Sequence, residues 1–270
     1  MQLGRLIGTG RTAEVYQSGE DRVLKLFHPH IPRHWVDYEA RIGSLLYSAG
    51  VPAPRVDGCV EIGDRAGIIY ERIDGTTLQE HLLDRPEEVI LYAKRMAALH
   101  YQIHSSTCRE LPPQRTRFST AIIKAADILG DSKVITILSY INRLPNPFRV
   151  CHGDFHPANL MLGKDIVPID WMNAYSGSPA GDVARTCLML RSPHVPEELS
   201  ILDHEELTHL KKVIHDVYLE EYLHLSGADP FEIEAWFLPV MAARLREKVP
   251  GEREWLLAEI DKRLRSLGSN

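Results

Sequence analysis

The sequence predicts an α+β fold of two lobes: an N-terminal antiparallel β-sheet with one helix, then a larger, mainly helical C-terminal lobe. Three observations predict it. Short β-like runs occupy the first seventy residues, with a single helical stretch among them. From Pro86 onward apolar residues recur at helical spacing. The change of character falls at Asp74-Gly75, which divides the chain into expected lobes of residues 1–73 and 74–270.

Each element has its own signal. Leu3–Ile7, Ala13–Gln17 and Arg22–Phe27 are short β-like runs, and Ser18-Gly19-Glu20-Asp21 separates the last two as a hairpin would. From Pro32 to Ala49, Trp35, Tyr38, Ile42, Leu45 and Leu46 recur at steps of three and four, and Gly50 and Pro52 end the run. Strands follow near Val56–Glu61 and Ala66–Tyr70. In the second lobe Pro86–His104 carries Val89, Tyr92, Met96, Leu99 and Ile103 on one stripe. Further helices are expected near Thr120–Leu129 and Lys133–Leu144, and a small β element at Leu160–Leu162 and Ile166–Ile169. From Pro179 the chain reads as helix, broken near Pro193, Gly227 and Pro250.

The bulk properties narrow the class. The chain has 270 residues, enough for a sizeable core, and 44% hydrophobic and 25% charged residues, an ordinary globular composition. A net charge of −6 argues against a nucleic-acid partner, which usually calls for a basic field. No apolar run approaches the ~20 residues of a membrane helix, and the N-terminus lacks a signal-peptide core. The four cysteines form no CxxC pair, so the expected setting is the reducing cytoplasm. Oligomeric state leaves no trace in the sequence.

The sharpest chemical signal is His152-Gly153-Asp154-Phe155-His156-Pro157-Ala158-Asn159, followed eleven residues past the Asn by Asp170 at the end of Val167-Pro168-Ile169-Asp170-Trp171. Asp154 can accept a hydroxyl proton. The amide oxygen of Asn159 and the carboxylate of Asp170 can hold Mg2+, a hard cation that takes oxygen ligands. Phosphoryl transfer needs a positioned nucleophile and positive charge against the phosphate oxygens. These motifs, with Gly181-Asp182-Val183-Ala184-Arg185, resemble the aminoglycoside phosphotransferase and choline kinase superfamily, relatives of protein kinases, from about Ile7 to about Leu190. The resemblance implies a protein-kinase-like fold and an ATP- and Mg2+-dependent transfer of the γ-phosphate to a hydroxyl of a small molecule.

Carried over by position, the resemblance implies that Asp154 is the catalytic base and that Asn159 and Asp170 are the metal ligands. His156 stands two residues past the base, where it either donates to the γ-phosphate or supports the loop. His152 is a structural residue of the loop. Asp182 matches an Asp that braces the catalytic loop from the following helix; the alternative is a solvated N-cap carboxylate. Between the first two strands, Gly8, Thr9 and Gly10 can lay backbone N–H groups over phosphates, although Ala13 replaces the third glycine of the protein-kinase pattern. Lys25 lies in an apolar strand, and Glu39 shares a helical face with Trp35, Ile42 and Leu46. A carboxylate there is costly without a partner, so a Lys25–Glu39 ion pair satisfies both and aims the ammonium at the phosphates. The family pattern also implies adenine bonding to the Glu71 carbonyl and the Ile73 amide, with Val15, Val23 and Met161 sandwiching the ring.

Other constellations carry less. His100 and His104, four apart on a helix, lack the further ligands of a zinc site, and the same holds for His28, His30 and His34. No nucleophile elbow is present. Between Ile201 and Glu234 stand nine acidic residues against Lys211 and Lys212. They either line a pocket for a cationic acceptor, such as an aminoglycoside, choline or another amino or sugar alcohol, or form solvated helix faces. Two rival classes stay open: an atypical protein kinase, for which an Ala-Pro-Glu signature and room for an activation segment are missing, and a catalytically silent nucleotide-binding protein.

Overall fold

The computed structural model describes residues 3–195, 199 and 203–268; Ile201, where the acidic stretch opens, lies outside them. The chain divides into two compact units. One comprises the residues up to His81 with Pro157–Ala174, the other Leu82–His156 with the residues from Tyr175.

The first unit is built on an antiparallel sheet of five strands in the order β1-β2-β3-β5-β4. They are β1 (Leu6–Thr9), β2 (Ala13–Gln17), β3 (Arg22–Phe27), β4 (Val56–Ile62) and β5 (Arg65–Glu71). Strand β1 starts later than Leu3: the chain before it is exposed, and the pairing with β2 begins at Leu6↔Tyr16. Helix α1 (Arg33–Ser48) packs one face of the sheet. Its Val36 and Ala40 join Ala13, Phe27 and Ile68 in one buried cluster. The expected stripe is displaced around the helix. Ile42 and Leu46 are fully buried, each worth roughly 1.5–3 kcal/mol, whereas Trp35 is 43% exposed. The displacement comes from small residues that hydropathy undervalues. A Cβ on Gly43 would meet Val56 Cγ2 at 2.8 Å, so the helix approaches the sheet over Ala40 and Gly43 and turns Trp35 outward. Gly50, at φ 72°, ends the helix in the left-handed conformation expected at that position.

The same unit holds a smaller antiparallel sheet, β6 (Thr76–Thr77), β8 (Leu160–Leu162) and β9 (Ile166–Pro168), in the order β6-β8-β9. The lobe boundary expected at 73/74 therefore differs from the cut made by packing, because β8 and β9 are tied to β6 by main-chain hydrogen bonds. Gly75 permits that junction: a Cβ there would lie 2.0 Å from the Leu162 carbonyl oxygen. A helix that the sequence did not signal, α2 (Leu78–Asp84), follows β6.

The second unit is mainly helical. It contains α3 (Val89–His104), α4 (Gln114–Ile123), α5 (Ala126–Leu129), α6 (Asp131–Ile141), α7 (Pro179–Arg191), α8 (His204–Ser226), α9 (Pro230–Arg244) and α10 (Arg253–Gly268). One antiparallel pair, β7 (Arg149–Cys151) and β10 (Tyr175–Gly177), is embedded among them. The single helix expected at Thr120–Leu129 is two, α4 and α5, each packed on α6. Helix α3 buries Met96, Leu99 and Ile103 as expected, and also His100 and His104. Asp203 and Asp229 cap α8 and α9 through their side chains, and Gly227, at φ 64°, separates the two helices.

Candidate active site

In the first unit three strands place an ammonium. Val15 opposes Lys25, and Lys25 opposes Ile68, so all three side chains share one face of the sheet. Val23, two residues before Lys25, is on that face too, opposite Tyr70. Lys25 Nζ lies 2.7 Å from Glu39 Oε1 and 3.3 Å from Asp170 Oδ1. Glu39 Oε1 also accepts from the Tyr70 hydroxyl at 3.0 Å. Burial works to lower the pKa of Lys25, but Glu39 and Asp170 outweigh it and hold the ammonium above its ordinary range. Glu39 is the more deeply set partner, and burial raises its carboxyl against the pull of Lys25.

The two ends of this triad differ. The Glu39 side chain is 3% exposed and that of Asp170 44%. Asp170 has φ 62° and ψ 59°; among the described residues only Lys248 shares with it a positive φ outside glycine. A non-glycine residue in this region carries a conformational cost and points to a local constraint. Ile169 donates its N–H to the Asn159 carbonyl at 2.9 Å, and Leu160 pairs with Pro168. The ends of β8 and β9 therefore bring Asn159 beside the residue that precedes Asp170. Met161, half-buried on β8, pairs with Thr77 and Val167.

Gly8 and Thr9 end β1 and Gly10 opens the turn to β2; Thr9 and Gly10 are exposed and Gly8 is half-buried. The turn is closed by the Gly10 N–H bonding the Ala13 carbonyl at 2.8 Å. Neither glycine has a positive φ, and an added Cβ would meet nothing closer than 3.5 Å at Gly10 and 3.7 Å at Gly8. The backbone does not demand glycine here; what glycine supplies is bare main chain. At the end of β5, Glu71 donates its N–H to the Arg55 carbonyl and Arg72 donates to the Asp21 carbonyl, so the main chain is held on both sides just before Ile73.

In the second unit the loop after β7 is gripped by α7. Asp182 is fully buried. Its Oδ2 accepts from the His152 N–H at 2.6 Å and its Oδ1 from the Gly153 N–H at 2.9 Å. The Tyr175 hydroxyl donates to Oδ1 at 3.2 Å, and the Nε2 atoms of His100 and His104 lie 3.0 and 3.3 Å from Oδ2. Tyr218 and Tyr222 occupy the two Nδ1 atoms at 2.6 and 2.7 Å, which sets each imidazole with its Nε2–H toward the carboxylate. Burial lowers the His100 pKa from 6.5 to about 3, so the ring is neutral. Burial alone would raise Asp182; the donors hold it well below the ordinary carboxylate range. The cluster His100–His104–Asp182 has the spacing of a metal site, but every ligand atom is committed to this network. The carboxylate is a buried brace.

Asp154 follows Gly153, which has φ 78°. Its Oδ1 accepts from Arg185 Nη2 at 3.1 Å, and its Oδ2 lies 3.9 Å from His156 Nε2. His152 Nδ1 accepts the Asp154 N–H at 3.2 Å, which fits a structural part for that ring. Burial raises the Asp154 carboxyl, but Arg185, then His156, hold it below its ordinary value. Arg185 continues to Glu247 Oε1 at 2.7 Å, and Glu247 Oε2 to Arg244 at 2.6 Å. Arg244 lines a cleft of about 400 Å³ with Asp127, Ile128, Lys248, Gly251 and Glu252. A larger cleft of about 810 Å³ opens at the Arg149 end of β7, the opposite end from the Asp154 loop.

Arg185 closes the Gly181–Arg185 motif, and the sequence alone assigns it no part. Its position three residues past Asp182 puts both on one face of α7, and that spacing was the available signal. The nine acidic residues of α8, α9 and their caps are surface groups: all but Glu221 are exposed, and Glu221 pairs with Lys94 at 3.1 Å.

A family model described as the phosphotransferase enzyme family matches residues 4–214. The chain belongs to that family. No curated protein sequence matches it. Among solved structures, this phosphotransferase shares its protein-kinase-like fold with the apo form of a thermostable mutant of aminoglycoside phosphotransferase APH(4)-Ia, at 18% identity and a TM-score of 0.66 over 99% of this chain and 96% of that one. It is also similar to an aminoglycoside-3'-phosphotransferase of type VIII, at 18% identity and a TM-score of 0.61 over 88% and 91% of the two chains. A streptomycin–ATP ternary complex of APH(2")-IIa follows at 17% identity and a TM-score of 0.58, covering 97% and 91%. No helix among the described residues is long and apolar enough to cross a membrane.

Proposed function

We propose that this phosphotransferase moves the γ-phosphate of ATP to a hydroxyl of a small molecule, with residues 1–73 as the nucleotide lobe and 74–270 as the catalytic and acceptor lobe. The observation that carries the reading is the Lys25 ammonium, held between the buried Glu39 and the exposed, left-handed Asp170. Such an ammonium is fixed on one side and open on the other, as a phosphate contact requires. Val15, Val23 and Met161 are half-buried apolar side chains suited to an adenine ring, with Glu71 and Ile73 offering main-chain groups at its edge. The bare backbone of Gly8, Thr9 and Gly10 suits phosphate oxygens.

Asp170 and Asn159 present a carboxylate and an amide oxygen, a donor set that fits Mg2+. When bound there, the ion would supply positive charge against the phosphate oxygens as charge redistributes in the transition state. Asp154 orients the acceptor hydroxyl and takes its proton as the new O–P bond forms and the bond from phosphorus to ADP breaks. His156 supports the loop or meets the transferred group. The protein-kinase alternative loses ground because a short 3-10 turn (Trp171–Asn173) and β10 use up the chain between Asp170 and α7. We place the acceptor in the cleft at Arg244, which a chain of three ion pairs through Arg185 and Glu247 joins to Asp154.

The test is Asp154→Asn. Mg·ATP binding measured by calorimetry should match the parent. Phosphorylation of a panel of aminoglycosides, choline, amino sugars and nucleosides, read by mass spectrometry, should fall by roughly two orders of magnitude or more. Near-parental turnover in that variant would overturn the assignment.

A further inference from the structure

We propose that Arg185 is a positioning residue for the Asp154 carboxylate, anchored by Glu247 and Arg244. The inference rests on reading Asp154 as the base. Helix α7 reaches the loop at three residues, Asp182, Arg185 and Thr186. Asp182 takes the N–H groups of His152 and Gly153, and Thr186 Oγ1 donates to the Phe155 carbonyl at 2.8 Å. The main chain on both sides of Asp154 is thereby fixed without Arg185. What Arg185 adds is a contact to the Asp154 side chain.

Arg185 is 8% exposed, and its guanidinium uses three nitrogens on three partners: Nε on the Gly153 carbonyl, Nη2 on Asp154 Oδ1 and Nη1 on Glu247 Oε1. Because the group is planar, these bonds fix the carboxylate relative to its own loop and to the end of α9 together. Arg244 closes the chain: it pairs with Glu247 and also holds Glu252, with Nε 2.8 Å from Oε2. A carboxylate so held stays ionised and turned in one direction. The acceptor proton passes to it when the O–P bond forms and then leaves to solvent.

The titratable and charged groups facing Asp154 are Arg185 from α7, His152 and His156 from its own loop, Arg244 from the end of α9 and Glu247 from the short turn that follows it. Of these, Arg185 exerts the largest pull against burial. Removing it should let burial raise the carboxyl, so the acid limb of the rate profile should move to higher pH.

The experiment compares Arg185→Met, Arg185→Lys and Asp154→Asn in the full chain. The probe is hydrolysis of Mg·ATP, with water as the acceptor, followed across pH. A carboxyl-13C NMR titration of Asp154, assigned through Asp154→Asn, gives a readout that needs no turnover. Arg185→Met should raise the Asp154 midpoint and lower kcat roughly ten- to a hundredfold, with KM for ATP nearly unchanged. Arg185→Lys keeps the charge without the planar fork, so it should hold the midpoint low and recover only part of kcat. It also supplies a folded comparison if the Met variant does not fold. An unmoved midpoint and acid limb in Arg185→Met, or full kcat in Arg185→Lys, would overturn the positioning role while leaving Asp154 as the base. Parental hydrolysis by Asp154→Asn would remove the base assignment, and the role of Arg185 with it.

Discussion

Asp170 and Asp182 stand twelve residues apart and are treated in opposite ways by the fold. Asp182 is fully buried, accepts from two backbone N–H groups, a tyrosine and two histidines, and sits on a regular helix. Asp170 is 44% exposed, lies 3.3 Å from one ammonium and holds a left-handed backbone. A fully satisfied buried carboxylate fixes its surroundings and has nothing left to offer a ligand. An exposed one in a costly conformation has spare lone pairs, and its geometry has to be explained by something outside the folding of its own segment. The contrast separates the group that builds the phosphotransferase scaffold from the group expected to meet substrate.

The largest expected effects test that contrast directly. Asp182→Ala strands five donors in the interior and should cost on the order of 3–5 kcal/mol of stability, read by denaturant unfolding. Asp170→Asn should leave stability within about 0.5 kcal/mol, since Asn tolerates the left-handed region. It should still reduce phosphoryl transfer by roughly a hundredfold or more. An Asp170 variant that unfolds, or an Asp182 variant that stays stable and merely slow, would reverse the two assignments.

A smaller gradient is expected within the triad of Lys25. Lys25→Ala removes the group proposed to touch phosphate, whereas Glu39→Ala removes only its orientation. The first should raise KM for ATP or lower kcat by about a hundredfold, and the second by about tenfold. Equal losses, or a Glu39 variant worse than the Lys25 one, would make the pair a fold element in place of a phosphate contact.

How far the sequence reached follows the same line between local and distant contacts. The spacing of Asp154, Asn159 and Asp170 is local, and so is the strand-then-helix order. The Lys25–Glu39 contact spans fourteen residues, yet it was legible because a carboxylate on an apolar helix face demands a partner. The brace from Asp182 to the loop was legible through the resemblance, but the histidines and tyrosines that complete its network were not. His100 and His104 are 82 and 78 residues from Asp182, and a helical stripe says that a residue is buried without saying what it meets. The face of α1 was misplaced for a different reason: Ala40 and Gly43 pack closely because they are small, and hydropathy gives them little weight.

The two polar centres also differ in how they respond to acid. His100 has a folded pKa of about 3 against 6.5 when unfolded. Its contribution to stability is complete above pH 6.5 and is lost as pH falls toward 3, because the unfolded chain takes up a proton that the fold refuses. The steepest slope from this one group is about 1.4 kcal/mol per pH unit. Asp182, held well below 3.8, adds a loss of the same sign at still lower pH. Glu39 is raised above 4.5, so it leans the other way and favours the fold as it protonates. His100→Gln keeps a donor for Asp182 and should flatten the slope measured by denaturant unfolding between pH 7 and 4. A slope that persists in that variant would assign it elsewhere.

The smallest expected effect concerns the acidic stretch, which in the sequence stood equally for a cationic pocket and for solvated faces. In the structure Glu232 lines the larger cleft, whereas most of the other carboxylates have local employment. Asp203 and Asp229 cap helices, Asp216 pairs with Lys212, and Glu234 pairs with Arg263. Glu205 and Glu206 lie exposed in the first turn of α8, where negative charge suits the helix dipole by about 0.3–1 kcal/mol. None of these six residues lines either cleft of the second unit. Glu205→Gln with Glu206→Gln should therefore lower stability by about 0.5–1 kcal/mol and leave the KM for any acceptor, and its dependence on salt, unchanged. The measurement is acceptor KM at low and high ionic strength with the best substrate of the panel. A several-fold rise in KM for a cationic acceptor, abolished by salt, would place these carboxylates at the substrate and return the acidic stretch to the recognition of positive charge.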